Sequence, residues 1–300
     1  MDSHCFSGSI VAIVSPLDAK GQLDSAALRN LIARQISAGT SGIVIAGTTG
    51  EGAALTVSMF ETALGVARET LRGADVRLIA GIGSPATAKC LEQIDKAQVG
   101  GADALLCVTP YYLKTTQQGL ASHFQTLADK AQIPVILYNV PARTALDLEA
   151  STTISLSQHE NIVGIKEALA DMSRVKTLVE GTSRDFVVLS GDDASAREAM
   201  SHGARGVISV TANVVPAAMA ELVKFSLAGQ NTQASAIDQL LAPLHEALMR
   251  EPNPIPVKAA LNYLGLIEPQ LALPLMPACA DTEQVLKDLL DNSLAQWTGT

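Results

Sequence analysis

The sequence predicts an α/β protein, a closed (β/α)₈ TIM barrel with a C-terminal helical appendage. Three observations predict this fold. Short runs rich in Val and Ile alternate with longer stretches of helical period over the first part of the chain, ending near Ser209. These runs are apolar throughout rather than alternately polar, as expected for parallel strands that are covered on both faces. Eight such units fit the usual size of this barrel, about 250 residues.

The predicted strands share an uninterrupted apolar character. They are Ile10–Val14, Gly42–Ala46, Arg77–Ala80, Ala104–Val108, Val135–Tyr138, Ile162–Ile165, Phe186–Leu189 and Gly206–Ser209. Helices are predicted between them, many opened by an Asp, Ser or Thr that can cap the first turn. They include Ser25–Ala38, Ser58–Leu71, Thr87–Val99, Gln117–Ala131 and Ala194–Ser201.

Beyond Ser209 the strand pattern stops and only helical patterns follow. The predicted helices are Val214–Ala228, Ala234–Met249, Pro256–Leu264 and Thr282–Ala295. One barrel does not need this many helices. We therefore expect a catalytic barrel over residues 1–225 and a helical region over residues 226–300 that packs against the outside of the barrel.

Charge and composition indicate a protein that acts on small molecules. The 300 residues contain 21 Lys and Arg against 30 Asp and Glu, a net charge of −9, with no basic run. This balance removes the electrostatic basis for binding nucleic acid or an anionic membrane. No apolar run approaches the roughly 20 residues needed to span a bilayer. The start of the chain lacks the pattern of a signal peptide, so we expect a cytoplasmic protein.

Neither metal nor disulfide chemistry is predicted. The four cysteines are scattered without CxxC spacing, which indicates reduced thiols. The five histidines show no metal-ligand spacing. Asp192 and Asp193 could form a magnesium pair, but we expect them to orient backbone and cap the next helix instead.

In a barrel of this kind the active site lies at the carboxyl ends of the strands. The polar stretches that follow the predicted strands are Gly47–Glu51, Thr109–Tyr112, Tyr138–Arg143, Gly164–Glu167, Ser190–Asp193 and Ile208–Ser209. Hydroxyls, phenols, one lysine and one arginine should therefore face one pocket.

Lys166 is the candidate nucleophile because it ends an apolar strand. Burial at the barrel mouth favours the neutral amine, which can form a Schiff base with a ketone. The alternative is a solvated lysine paired with Glu167. Tyr138, one strand away, is a candidate general acid and base, or else an ordinary core tyrosine.

Two further candidates also have ordinary structural alternatives. Thr48 and Thr49 could relay a proton or bind a carboxylate, or they could simply cap a helix with Glu51 as a capping partner. Arg143 could hold a substrate carboxylate with two hydrogen bonds, or it could be an exposed loop arginine.

Three of these stretches, Gly47–Glu51, Tyr138–Pro141 and Gly164–Glu167, resemble the pyruvate-dependent Schiff-base lyases of the class I aldolase type. The similarity covers nearly the whole chain in order. Arg143 in its Pro-Ala-Arg context and the stretch Asn253–Lys258 point to the dihydrodipicolinate synthase family.

The resemblance implies catalytic roles for four residues. Lys166 forms an imine with pyruvate, and Tyr138 moves the proton that converts the imine to an enamine. Thr48 and Tyr112 complete a hydroxyl relay, and Tyr112 reaches across from a neighbouring subunit. Because the imine forms with the substrate itself, no separate cofactor is implied.

The resemblance also implies four substrate-binding positions. Thr49 and the backbone near Ile208 hold the carboxylate of pyruvate. Arg143 anchors the carboxylate of L-aspartate 4-semialdehyde, and Gly191 leaves room beside the imine. A homotetramer built as a dimer of dimers is expected.

The implied reaction condenses pyruvate with L-aspartate 4-semialdehyde to 4-hydroxy-tetrahydrodipicolinate in the diaminopimelate route to lysine. Two alternatives stay open. The first is a related 2-keto acid aldolase of the N-acetylneuraminate lyase or 2-keto-3-deoxy sugar acid aldolase type. The second is a catalytically idle sensor of keto acids. Arg143 favours a short acidic second substrate over a polyhydroxylated one, and an intact Lys166 would be unnecessary in a sensor.

The resemblance finally implies weak or absent inhibition by lysine. In lysine-sensitive members of the family, polar and acidic side chains line an allosteric pocket. The matching positions here are Val57, Phe60, Ser84 and Ala88, with only Tyr111 kept. A ligand with two ammonium groups would lack carboxylate partners at such a site.

Overall fold

A computed structural model describes residues 6–298 and confirms the predicted barrel. Eight parallel strands follow one another in chain order, and β8 closes onto β1 with Gly206 opposite Gly8. The strands are β1 (Gly8–Ala12), β2 (Gly42–Ile45), β3 (Arg77–Ile82), β4 (Ala104–Val108), β5 (Val135–Asn139), β6 (Ile162–Glu167), β7 (Val187–Ser190) and β8 (Gly206–Ser209).

Helices connect successive strands on the outside of the barrel. They are α1 (Ser25–Ser37), α2 (Val57–Thr70), α3 (Thr87–Val99), α4 (Gln117–Lys130), α5 (Pro141–Thr144), α6 (Ala150–Leu156), α7 (Met172–Gly181) and α8 (Ala196–Ser201). Side chains of Asp24, Thr56, Thr116 and Asp171 accept hydrogen bonds from first-turn amides of α1, α2, α4 and α7. These caps leave fewer helix-end amides unpaired.

The first strand differs from its predicted bounds. Ile13 and Val14 lie beyond the end of β1, although both are fully buried. The amide of Val14 donates to the side chain of Asn213 at 3.0 Å instead of joining the sheet ladder. Both side chains belong to the larger apolar cluster, so burial explains their apolar character, which the pattern alone could not distinguish from a strand.

The barrel has two apolar layers. Inside it, side chains from alternating strand positions form one cluster that includes Ile10, Ile79, Leu106, Ile136 and Leu189. A larger cluster fills the space between the strands and the surrounding helices. Tyr138 belongs to the inner cluster, so the inward face of β5 carries a phenol at its carboxyl end.

The C-terminal part of the chain is helical, as predicted. A single 3₁₀ turn (Thr211–Asn213) leads into α9 (Pro216–Leu227), α10 (Asn231–Ala247), α11 (Ile255–Tyr263) and α12 (Ala280–Thr298). Helix α9 packs against β1 and α10, so the predicted boundary after residue 225 falls within a helix that contacts the barrel. A division into independent domains stays a prediction.

Residues 6–298 contain no helix long and apolar enough to cross a membrane. They also contain no group of three or more His, Cys, Asp or Glu side chains arranged to hold a metal ion.

Candidate active site

Lys166 and Tyr138 lie side by side at the carboxyl ends of β6 and β5. The two residues are register partners in the parallel ladder, so their side chains point to the same face. The Lys166 Nζ lies 4.4 Å from the centroid of the Tyr138 ring. Lys166 is 5% exposed and Tyr138 is 6% exposed. The amine is therefore buried at the barrel mouth against the face of an aromatic ring that carries a hydroxyl, an arrangement compatible with nucleophilic amine chemistry.

The alternative of a solvated Lys166 paired with Glu167 is wrong. Glu167 is buried and pairs with Arg174, whose Nε donates to Oε2 at 2.7 Å. Because neighbouring residues of a strand point to opposite faces, Glu167 lies behind the sheet while Lys166 faces the interior. Burial raises the pKa of the Glu167 carboxyl, and the bonds from Arg174 and Asn139 act in the opposite direction.

The network around Glu167 ties the ends of β5 and β6 together. Asn139 Nδ2 donates to both Glu167 oxygens at 3.1 Å and to Asp147 at 2.8 Å. Arg174 also bonds Asp147, at 3.0 Å, and the carbonyl of Leu148. Asn139 and Glu167 directly follow Tyr138 and Lys166 in the chain, so this network holds the backbone that carries the candidate phenol and amine.

Gly191 follows β7 directly beside Lys166. A Cβ on Gly191 would lie 3.0 Å from the Lys166 Cε and 2.9 Å from the Ala168 Cβ. Contacts this short are rare for real side chains, so only glycine leaves the lysine free to adopt its position. Gly191 therefore lies beside the Lys166 side chain, and its role of leaving room for an imine stays a prediction.

Thr48 and Thr49 lie in the loop after β2, with Thr49 buried and Thr48 half-buried. Neither residue caps α2, because Thr56 occupies the N-cap and its Oγ1 accepts from the Met59 amide at 3.2 Å. Glu51 is not a capping partner either; it forms a buried ion pair with Lys258. The helix-cap alternative for this loop is therefore wrong.

Asn253, which sequence reasoning did not assign, connects two predicted binding residues. Its Nδ2 donates to Thr49 Oγ1 at 2.9 Å, and its backbone carbonyl accepts from Arg143 Nη2 at 2.9 Å. Asn253 is buried, and its side-chain Oδ1 has no hydrogen-bond partner among residues 6–298. The sequence signal that could have identified Asn253 is its position in the stretch Asn253–Lys258, which was noted only for its resemblance to the family.

Arg143 and Tyr112 lie on the exposed side of the barrel mouth. Arg143 is on α5, directly after β5, and its guanidinium is exposed apart from the bond to Asn253. Tyr112 is 90% exposed and adopts a left-handed φ of 70°. Its side chain projects into solvent from the loop after β4. Ile208, by contrast, is buried at the end of β8 in the inner cluster.

Asp192 and Asp193 orient backbone, as expected, but the expectation that they cap the next helix is wrong, because Ser195 occupies the N-cap of α8. Asp193 Oδ2 accepts from the amides of Val210 and Thr211 at 2.9 Å. Asp192 Oδ2 accepts from both the amide and the hydroxyl of Ser195, directly before α8. The Asp193 carboxylate thus connects the loops after β7 and β8, and the Asp192 carboxylate holds the residue that precedes α8.

The structure is a (β/α)₈ barrel that carries a buried amine beside a phenol at the carboxyl ends of neighbouring strands. Residues 5–293 match the model of the dihydrodipicolinate synthetase family, and the chain belongs to this family.

Similar proteins and solved structures are named as synthases of this family. The chain is 46% identical over 268 residues to a 4-hydroxy-tetrahydrodipicolinate synthase of Pseudomonas putida, with 89% of this chain and 91% of the relative covered. The dihydrodipicolinate synthase of Acinetobacter baumannii, solved in complex with pyruvate, is 41% identical with a TM-score of 0.93, over 96% of this chain and 98% of that one. A monomeric dihydrodipicolinate synthase variant has 36% identity and a TM-score of 0.94, over 97% and 98% of the two chains.

Proposed function

We propose that the protein condenses pyruvate with L-aspartate 4-semialdehyde to 4-hydroxy-tetrahydrodipicolinate, in the diaminopimelate route to lysine. The observation that carries this proposal is the Lys166 amine 4.4 Å from the centre of the Tyr138 ring, both buried at neighbouring strand ends. Membership of the dihydrodipicolinate synthetase family supports the choice of substrates. The family and Arg143 favour this reaction over a sugar-acid aldolase, because a guanidinium suits a short second acid.

The first half of the reaction takes place at Lys166. Its amine attacks the keto carbon of pyruvate to give a carbinolamine. A proton delivered by Tyr138 lets the carbinolamine hydroxyl leave as water, and a protonated imine remains. This imine withdraws electrons from the neighbouring methyl group, so a proton can leave that carbon and an enamine forms. We assign the transfer of this proton to Tyr138, with Thr48 and Tyr112 as the hydroxyl relay. The substrate imine itself supplies the electron sink, and no other cofactor enters the proposal.

Binding of the two carboxylates orients the substrates. We assign the pyruvate carboxylate to Thr49 and the backbone near Ile208, and the semialdehyde carboxylate to Arg143. The enamine carbon then attacks the aldehyde carbon, which becomes a hydroxyl-bearing carbon. The amine of the second substrate attacks the imine carbon, closes the ring and releases Lys166 as a free amine. Gly191 leaves space for the imine next to the lysine side chain.

We further infer a homo-oligomer, a tetramer built from two dimers, in which Tyr112 enters the site of a neighbouring subunit. The projecting Tyr112, followed by the exposed Leu113, supports this assignment. The structural similarity to a monomeric variant means that the fold alone does not require it. A cytoplasmic location fits the family's biosynthetic role and the free Cys90, Cys107 and Cys279 among the described residues.

One experiment tests the proposal. Incubating the protein with pyruvate and borohydride should add one reduced pyruvyl group, detected by intact mass and mapped to Lys166 by peptide analysis. Adding L-aspartate 4-semialdehyde before borohydride should give product absorbance and reduce trapping. A modification mapped to Lys114 or to the buried Lys258 would contradict the assignment.

A further inference from the structure

A fully buried ion pair lies behind the loop that carries Thr48 and Thr49. Lys258 Nζ, on α11, donates to Glu51 Oε1 at 2.5 Å, and both side chains are 0% exposed. The two residues are 207 positions apart in the chain. Burial lowers the pKa of Lys258, while Glu51 acts to raise it.

Each partner of the pair also binds backbone from another segment. Lys258 Nζ donates to the carbonyl of Ser15 at 2.9 Å, just beyond β1. Glu51 Oε2 accepts from the amide of Ala272 at 2.6 Å, in the segment between α11 and α12. Ser15 in turn donates its hydroxyl to the carbonyl of Gly50 at 2.7 Å. The loop after β2 is therefore held from the barrel and from the C-terminal region at the same time.

The loop itself has a conformation that needs such support. Glu51 has a left-handed φ of 54°, which residues with a side chain adopt rarely and keep only where their surroundings hold them. A Cβ at Gly52 would lie 1.9 Å from the carbonyl oxygen of Ala46, so the loop folds tightly back on the end of β2.

Stability alone is a weak reason for a buried pair of this kind. Removing two charges from water is costly, and apolar side chains of similar volume often serve stability equally well. The hydrogen bonds of the pair instead fix the position of the loop relative to α11. Asn253, two residues before α11 begins, bonds Thr49 directly, so the same C-terminal segment contacts the loop twice.

We propose that Glu51 and Lys258 are positioning residues that hold Thr48 and Thr49 against the pyruvate site. The inference rests on the proposed function, because it assigns the pyruvate carboxylate to Thr49. It makes the C-terminal region a structural part of the pyruvate site rather than an appendage. Small displacements of positioning groups can reduce rates by orders of magnitude, so loosening this loop should be visible in kinetics.

The test replaces both charges together, since one charge left alone in the interior would threaten folding. In the double variant Glu51→Gln/Lys258→Met, the pyruvate concentration for half-maximal borohydride trapping should rise about tenfold and kcat should fall. The half-saturating concentration of L-aspartate 4-semialdehyde, at saturating pyruvate, should change less than about twofold. This split distinguishes positioning of the pyruvate loop from general loosening of the protein.

A matched control is the ion pair between Arg197 Nε and Asp238 Oδ2, 2.8 Å long, which connects α8 to α10. Arg197→Met/Asp238→Asn also removes a link between the barrel helices and the C-terminal region, and it should leave both half-saturating concentrations unchanged. Ser15→Ala, which removes one neutral hydrogen bond to the loop, should raise the value for pyruvate about threefold. It provides the test if the double variant does not fold.

The proposal is overturned if the half-saturating concentration of pyruvate is unchanged in the folded double variant. If the double variant cannot be obtained, an unchanged value in Ser15→Ala overturns it. An equal rise for both substrates also overturns it. These outcomes differ from a failure of the proposed function, in which the wild-type protein itself would form no pyruvate adduct at Lys166.

Discussion

The two halves of the barrel mouth differ in burial and in support. On one side, Lys166 and Tyr138 are almost completely buried, and the network of Glu167, Arg174 and Asn139 braces their strands from behind. On the other side, Arg143 is exposed with one hydrogen bond to Asn253, and Tyr112 projects into solvent.

This difference follows from what each half has to do in the proposed reaction. An amine that attacks a ketone has to be held in a fixed position, which a buried, preorganised setting provides. A second substrate has to enter after the imine has formed, so its binding group has to be reachable from solvent. In the proposed reaction, the buried half forms the imine and the exposed half selects the second substrate.

The largest expected effect is at the buried amine. Lys166→Ala should abolish both turnover and trapping of pyruvate, since no other described lysine lies beside Tyr138 at a strand end. Intact mass after borohydride treatment is the measurement. Lys176→Ala, which changes an exposed lysine on α7, is the control and should retain both activities. Pyruvate still trapped in Lys166→Ala would remove the buried half from the mechanism.

Tyr138→Phe should reduce kcat by roughly 10²–10⁴, the usual effect of removing a positioned acid and base. The ring that packs on the lysine is kept, so the variant should fold and should still form the imine, more slowly. Stopped reactions with borohydride measure imine formation separately from turnover. A loss smaller than about threefold would mean that the phenol is only a core side chain.

Arg143→Ala should affect only the exposed half. We expect kcat/KM for L-aspartate 4-semialdehyde to fall roughly ten- to hundred-fold, because a charge-assisted hydrogen bond contributes about 1.5–3 kcal/mol. Pyruvate trapping should be unchanged, and Arg143→Lys should recover part of the loss. Equal loss of pyruvate trapping would instead show that Arg143 acts structurally through Asn253, and the two halves would not be separable.

Tyr112→Phe should reduce turnover by about tenfold, since it removes one exposed member of the relay. Mixing this variant with Lys166→Ala under conditions of subunit exchange tests whether Tyr112 acts across an interface. A mixed dimer then contains one complete site, so about a quarter of wild-type activity should return. If Tyr112 acts within its own chain, no complete site forms and mixing gives only the average of the two variants.

The smallest expected effect concerns lysine. Submillimolar lysine should leave steady-state turnover unchanged, because Val57, Phe60, Ser84 and Ala88 offer no carboxylate to its ammonium groups. Initial rates at fixed subsaturating pyruvate are the measurement. Half-inhibition at submillimolar lysine would show that other acidic side chains complete the pocket.

Much of the buried half could be predicted from the chain alone. Apolar runs and helical periods are local patterns, so they specify eight strands and the order in which they close. Lys166 and Tyr138 end neighbouring strands of that order, and their proximity follows from the parallel register. The resemblance to the family supplied the roles of these residues, while the geometry now shows only where they lie.

The connections between distant segments were decided by tertiary structure. Glu51 in the loop after β2 looked like a helix-capping residue, and Lys258 like one more lysine near the end of the chain. Their pairing, and the contact of Asn253 with Thr49 across 204 positions, depend on how α11 packs against the barrel. No local period encodes such contacts, because hydrogen-bond partners far apart in sequence are selected only when the chain is compact. The sequence by itself therefore determined the barrel and its buried amine, and only the folded structure decided what holds the surrounding loop in place.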